Sequence, residues 1–132
     1  MGNLQTGLHN HMQITVSETM LACNVRSGTL RVYATPMMLA LMEQTCMECV
    51  APHLETGYGT VGTHLDVAHT SVTPLGMQVE CDCELIEIDG RRLVFDVVAR
   101  DERGEIGRGR HERFIVNDER FQQKADSKLS ND

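Results

Sequence analysis

At 132 residues, 41% of them hydrophobic and 23% charged, the chain has the make-up of one globular domain long enough to bury a sizeable core. A net charge of −7 leaves no room for a broad phosphate-neutralising surface, so no nucleic-acid partner is expected. No apolar run approaches the ~18 residues of a membrane span, and "MGNLQTGLHNHMQ" lacks the basic start and apolar centre of a secretion signal, so no membrane partner and a cytoplasmic location are expected.

In chain order, residues 1–11 read as a flexible lead-in, and "MQITVSETML" (12–21) has strand character. "SGTLRVYAT" follows a Ser27-Gly28 turn and reads as short and extended. "TPMMLALMEQTCMECVAP" then predicts a helix, with Thr35 as N-cap, Pro36 at the first helical position and Pro52 as the stop. That gives about 16 residues, or roughly 24 Å. "HLETGYG" reads as a loop. From there the apolar period changes to two. "GTVGTHLDVAH" (59–69) predicts one strand, and "TPLGMQVECDCELIEI" leads into a second that ends at the hairpin signal Asp89-Gly90. "RRLVFDVVARD" and "IGRGRHERFIV" (106–116) follow, giving an antiparallel meander. Residues 118–132 read as a polar tail. One apolar helix and one sheet with an apolar face should bury each against the other, which defines an α+β domain over 12–117.

Five cysteines, at 23, 46, 49, 81 and 83, raise the question of a metal site. The alternation Met77, Val79, Cys81, Cys83, Leu85 puts both strand thiols on the apolar face, with Gln78, Glu80, Asp82 and Glu84 on the other. Free cysteine behaves as a small buried hydrophobe, and zinc ligands come from turns and knuckles, so no metal is expected.

Two polar residues break the apolar pattern. On a helical wheel the neighbours of Glu43 are Pro36, Leu39, Ala40, Cys46, Met47 and Val50. A carboxylate among them either lies at the rim of the stripe or lines a cleft with a partner, because an unpaired buried carboxylate is costly. In "VGTHLDVAHTSVTP" the side chains of Leu65, Val67 and His69 share one face, so His69 continues the apolar face to the end of its strand. It is either a core histidine bonded to backbone or one half of a His–carboxylate pair with Glu43 in one cleft.

"ATPMMLALMEQ", "VGTHLDVAHTSVTPLG", "DGRRLVFDV" and "GRGRHERFIV" together resemble the hot-dog-fold thioesterases, in the group containing fluoroacetyl-CoA thioesterase. The resemblance implies a hot-dog fold, in which an antiparallel sheet wraps one long central helix. It implies a homodimer, or a dimer of dimers, with active sites at the interface. Thr35, Glu43 and His69 match the family's catalytic residues. Gly62 matches a glycine whose N–H faces the thioester carbonyl, and Arg113 matches an arginine of the site. The implied activity is hydrolysis of a short-chain acyl-CoA without a cofactor. A hot-dog protein that binds acyl-CoA without turning it over is the alternative, and a cysteine-based metal scaffold is a third reading. Arg91, Arg92, Arg108 and Arg110 are candidates for a basic patch that meets the phosphates of CoA. Thr35 and Glu43 are eight residues apart, about 12 Å along a helix and about 80° around it, so they cannot touch on one straight helix. Either the helix starts after Thr35, or each site draws on both subunits.

Overall fold

The computed structural model describes residues 4–130. Strand β1 (His9–Thr15) is followed by a 3-10 turn and a single helical turn, α1 (Ala22–Val25). Helix α2 (Thr35–Val50) comes next, then β2 (Tyr58–His69), β3 (Gln78–Asp89), β4 (Arg92–Asp101), β5 (Gly104–Asn117) and a C-terminal helix, α3 (Asp118–Asp126). The strands form one antiparallel sheet in the order β1-β3-β4-β5-β2. The first strand therefore begins inside the stretch read as a lead-in, of which residues 1–3 lie outside the described residues, as do 131–132 of the tail. Among the described residues no helix is long and apolar enough to cross a membrane.

Helix α2 has the 16 residues the sequence predicts, but the cap is one residue earlier: Ala34 is the N-cap, in an extended conformation. Thr35 is the first helical residue, and Pro36 sits in the first turn, where an N–H has no intrahelical partner to lose. The buried positions Met38, Leu41, Met42, Thr45, Cys46, Cys49 and Val50 recur at three- and four-residue spacing and form a stripe that enters the sheet. Glu43 flanks that stripe. Of its wheel neighbours, Pro36, Ala40 and Met47 are apolar yet exposed, whereas Cys46 and Val50 are buried and Leu39 packs on the core, so Glu43 stands at the edge of the core.

The sheet meets the helix with Val79, Cys81, Cys83 and Leu85 of β3 and with Leu93, Phe95, Val97 and Ala99 of β4, all buried. The alternation expected for β3 is present. Gly90 adopts φ 61° in the β3–β4 hairpin, a conformation open to glycine at no steric cost. The meander holds for β3, β4 and β5 but not for β2, which pairs with β5 along His69↔Gly107 to Tyr58↔Asn117. Residues 70–77 are long enough to carry the chain across the end of the sheet, and the Thr70 N–H donates to the Ile106 carbonyl at 2.7 Å on the way. Strand β2 is thus a 12-residue edge. The segment read as a polar tail continues as α3, capped by Asn117, whose side chain accepts from the Arg120 N–H at 3.0 Å, with Asp118 and Glu119 in its first turn.

The five cysteines are free, and four of them are buried. Burial pushes the Cys81 thiol up to about 11, and hydrogen bonding among thiols raises Cys49 and Cys83. Cys83 Sγ also sits 3.6 Å from the Thr45 carbonyl at the helix–sheet contact. Among the described residues no cluster of His, Cys, Asp and Glu is arranged to hold a metal. Cys83→Ala is therefore expected to lower stability by roughly 1–2 kcal/mol through lost packing. The measurement is a urea midpoint, and turnover should be retained.

Candidate active site

Thr35 opens α2 and His69 closes β2, so the antiparallel run of helix and strand sets these chain-distant residues side by side. Thr35 Oγ1 and His69 Nδ1 are hydrogen-bonded at 2.7 Å. The N-cap Ala34 has no side chain to cap with, and the hydroxyl of Thr35, the first helical residue, meets the imidazole. The pair lines a cleft of about 300 Å³, together with Tyr33, Ser71 and Val72. His69 Nε2 is buried and has no hydrogen-bond partner among the described residues. Burial holds the His69 pKa below the usual histidine value, which favours the neutral ring and with it proton-accepting capacity.

Further along α2 and β2, where β5 runs beside β2, lies a second group. Glu43 Oε2 is 3.7 Å from Arg113 Nη1. The guanidinium is almost fully buried and is held on every side: Nε donates to Thr60 Oγ1 at 2.8 Å, Nη2 to the Thr60 carbonyl at 2.9 Å, and Nη1 to His111 Nε2 at 3.1 Å. His111 is fully buried, and its Nδ1 faces the His64 carbonyl at 2.8 Å. That carbonyl can only accept, so the proton sits on Nδ1 and Nε2 is free to accept from Arg113. Burial lowers the pKa of His111 and so keeps this neutral form in place. The ring also stacks on Phe95, with centroids 6.4 Å apart.

Gly62 sits against this carboxylate. A Cβ at position 62 would collide with Glu43 Oε2 and lie 3.2 Å from His111 Cε1. The nearest obstacle is the flexible end of Glu43, and the buried His111 ring must also give by a few tenths of an ångström. Gly62→Ala is expected to displace Glu43 and lower kcat at least about tenfold, since small misplacements of reacting groups are expensive, with a modest loss of stability from the pressure on His111. A rate equal to the parent's would show that Glu43 need not occupy this position.

The five residues expected from sequence thus form two groups, Thr35 with His69 and Glu43 with Gly62 and Arg113. Among the described residues no hydrogen bond or ion pair joins the two groups within one chain. The reason is spacing. The helix begins at Thr35, which removes the late-start alternative, and Gly62 and His69 are seven residues apart on an extended strand, ~23 Å. His111 went unnoticed in the sequence, although its alternation with Arg113 in "HERF" places both on the inward face. Of the arginines considered for a basic patch, Arg92 pairs with Glu112 at 2.9 Å, Arg108 with Glu105 at 2.7 Å and Arg110 with Asp96 at 3.2 Å. Arg91 alone of the four makes no ion pair among the described residues.

The helix wrapped by a five-stranded sheet has close counterparts among solved structures. A variant of fluoroacetyl-CoA thioesterase solved in complex with acetyl-CoA superposes with a TM-score of 0.92 at 33% identity, covering 96% of this chain and 100% of that one. A thioesterase superfamily member from Thermus thermophilus gives 0.86 at 26% identity, over 96% and 93% of the two chains. Fold and neighbours make this protein a hot-dog-fold thioester hydrolase. In sequence, the fluoroacetyl-CoA thioesterase of Streptantibioticus cattleyicolor is 44% identical over 97 residues, 74% of this chain and 70% of that protein. The family model described as fluoroacetyl-CoA-specific thioesterase matches residues 16–119, and the chain belongs to that family.

Proposed function

We propose that this enzyme hydrolyses a short-chain acyl-CoA to the free acid and CoA, in the cytoplasm, at a site that each subunit of a homodimer completes for the other. The observation that carries the reading is the Thr35–His69 hydrogen bond of 2.7 Å beside a cleft of about 300 Å³. A binding protein that never turned substrate over would not need a desolvated histidine aimed at a hydroxyl. Five free cysteines suit a reducing compartment.

The chemistry follows from the groups. Attack on a thioester carbonyl develops negative charge on its oxygen. The Gly62 N–H, or the N-terminal end of α2 at Thr35, supplies the compensating dipole. Glu43 either removes a proton from water or attacks directly to give an acyl-enzyme anhydride, and Arg113 fixes its carboxylate. His69, with its lowered pKa, moves protons to and from Thr35 and the leaving thiolate. Two surfaces support the dimer reading: the exposed apolar residues Pro36, Ala40 and Met47 of α2 beside Glu43, and the long edge of β2, which is a template for a second strand. Pairing two chains there would bring Glu43 of one toward the Thr35–His69 pair of the other, which no single chain achieves.

The test is a panel of acyl-CoAs read by a thiol reagent, with light scattering alongside. Hydrolysis of short acyl chains by a species of at least twice 14.7 kDa is expected. A panel with no turnover would favour the binding-protein reading, and a monomer would remove the shared site.

A further inference from the structure

One buried titratable side chain near Glu43 takes no part in the proposed chemistry. His111 of β5 is fully buried, two residues from Arg113 and against Gly62. Its setting begins with an irregularity between β2 and β5. Gly62 pairs with Arg113 and His64 with Glu112, so Thr63 is an extra residue in β2. A bulge of this kind re-aims the groups beside it. Here the His64 carbonyl meets His111 Nδ1 at 2.8 Å, which puts the ring proton on Nδ1 and leaves a lone pair on Nε2. That lone pair accepts one N–H of Arg113 Nη1 at 3.1 Å. The stacked ring of Phe95 steadies the imidazole plane.

The guanidinium has two differently held ends. Thr60 accepts from Nε through its hydroxyl at 2.8 Å and from Nη2 through its carbonyl at 2.9 Å. Nη1 is the nitrogen that faces Glu43 Oε2, and its hydrogen-bond partner among the described residues is His111. The distance from Nη1 to Oε2 is 3.7 Å, well beyond the about 2.7–2.9 Å of a charge-assisted N–H···O bond. Glu43 makes no hydrogen bond and no other ion pair among the described residues. Gly62 leaves room for this arrangement, since a Cβ there would collide with Glu43 Oε2 and lie 3.4 Å from Arg113 Nη1. A carboxylate bonded directly to a guanidinium has its charge and lone pairs engaged, which weakens it as base and nucleophile. One that stands near the cation without a bond is oriented and still free to react.

We propose that His111 is a positioning residue: its Nε2 holds the Nη1 end of Arg113 back from a direct bond to Glu43 and so keeps the carboxylate free for water or the thioester. The proposal rests on the hydrolase reading above and on the part given there to Glu43. Burial serves the same end by keeping the ring neutral, because a protonated Nε2 cannot accept and would set a second cation against the guanidinium. The charged groups around the ring are Arg113 and Glu112 of β5 and Glu43 of α2, and Glu112 is engaged by Arg92 at 2.9 Å.

The test uses variants that separate the two ends of the ring. In His111→Gln the side-chain carbonyl reaches the place of Nε2 and can accept from Arg113, while the bond to His64 is lost. In His111→Asn the amide can donate to the His64 carbonyl, but nothing reaches Arg113. His111→Leu offers neither group. With one short-chain acyl-CoA, kcat per mole of folded protein should stay within about threefold of the parent for His111→Gln. It should fall at least about tenfold for His111→Asn and His111→Leu, with KM changing less than kcat. Crystal structures should show the Nη1–Oε2 distance shortened in His111→Asn and kept in His111→Gln. A role in the fold alone gives another order: kcat follows the melting temperature, and His111→Asn, which restores the backbone bond, equals or exceeds His111→Gln. That order overturns the proposal. Nitrogen NMR of the parent tests it without any variant. Nδ1 should carry the proton and Nε2 should be coupled through the hydrogen bond to Arg113 Nη1, and a ring protonated on Nε2 overturns the proposal. A parent that cleaves no acyl-CoA overturns the hydrolase reading instead. The NMR result and the distance in His111→Asn then decide the positioning alone, with an unchanged distance counting against it.

Discussion

Glu43→Gln is expected to lower kcat on a short-chain acyl-CoA by at least about 10²-fold, the scale of losing a general base or nucleophile. The amide keeps the shape beside Gly62 and removes the charge that Arg113 faces. The effect on folding should be small, for a reason visible in the contacts. The Arg113 guanidinium is buried, but Thr60 and His111 take three of its five N–H donors, one on each nitrogen, and hold it in place without Glu43. Glu43 stands 3.7 Å away with 43% of its side chain exposed, so solvent screens the pair and its loss should cost about 1 kcal/mol or less. A carboxylate serving only the fold would show the opposite pattern, with a shifted melting temperature and an intact rate. Steady-state kinetics and a urea titration on the same preparation separate the two. A folded Glu43→Gln protein that hydrolyses acyl-CoA at the parent rate would remove Glu43 from the chemistry.

How far the sequence reaches depends on the distance over which each feature is decided. Helix α2 and the inward face of β3 were legible because a period of three to four, or of two, is a local property with one burial solution. Thr35 was read as a cap on local grounds; it is the first helical residue, with Ala34 as the cap, and its hydroxyl meets an imidazole from 34 positions away, a contact no local pattern announces. Strand β2 was visible as a strand but not as the neighbour of β5, since periodicity says which face is buried and nothing about which edge is paired. Helix α3 has no buried residue and hence no apolar stripe to find, although Asn117 and the acidic first turn were cap signals in plain view. Glu43 was read as lying either at the rim of the apolar stripe or in a cleft, and it stands at a boundary: Leu39, Cys46 and Val50 belong to the core or pack on it, whereas Pro36, Ala40 and Met47 are exposed. A one-chain limit applies to the five expected site residues: their types could be matched to motifs, but whether two groups ~12 Å apart on one helix serve one reaction is a property of the assembly.

That property has a direct expectation. His69→Ala should lose activity on the same scale as Glu43→Gln, and Thr35→Ala on top of it should add little, because groups acting in one step fail together. Each single variant is then nearly dead as a homodimer. Mixed under conditions that exchange subunits, the Glu43→Gln and His69→Ala proteins should regain activity. In a hybrid dimer one site combines the intact Thr35–His69 pair of the first chain with the intact Glu43 of the second, and the other site has neither. Hybrids make up half of a random equal mixture, so recovery should approach about a quarter of the parental rate. Mixing Thr35→Ala with His69→Ala is the control. These two residues contact each other within one chain, at 2.7 Å, so every hybrid site lacks one of them and no recovery is expected. If the Glu43→Gln and His69→Ala mixture exchanges subunits, as mass spectrometry of the dimer can verify, and stays inactive, then the two groups do not act across the interface. The long edge of β2 and the exposed face of α2 would then need another explanation than a shared active site.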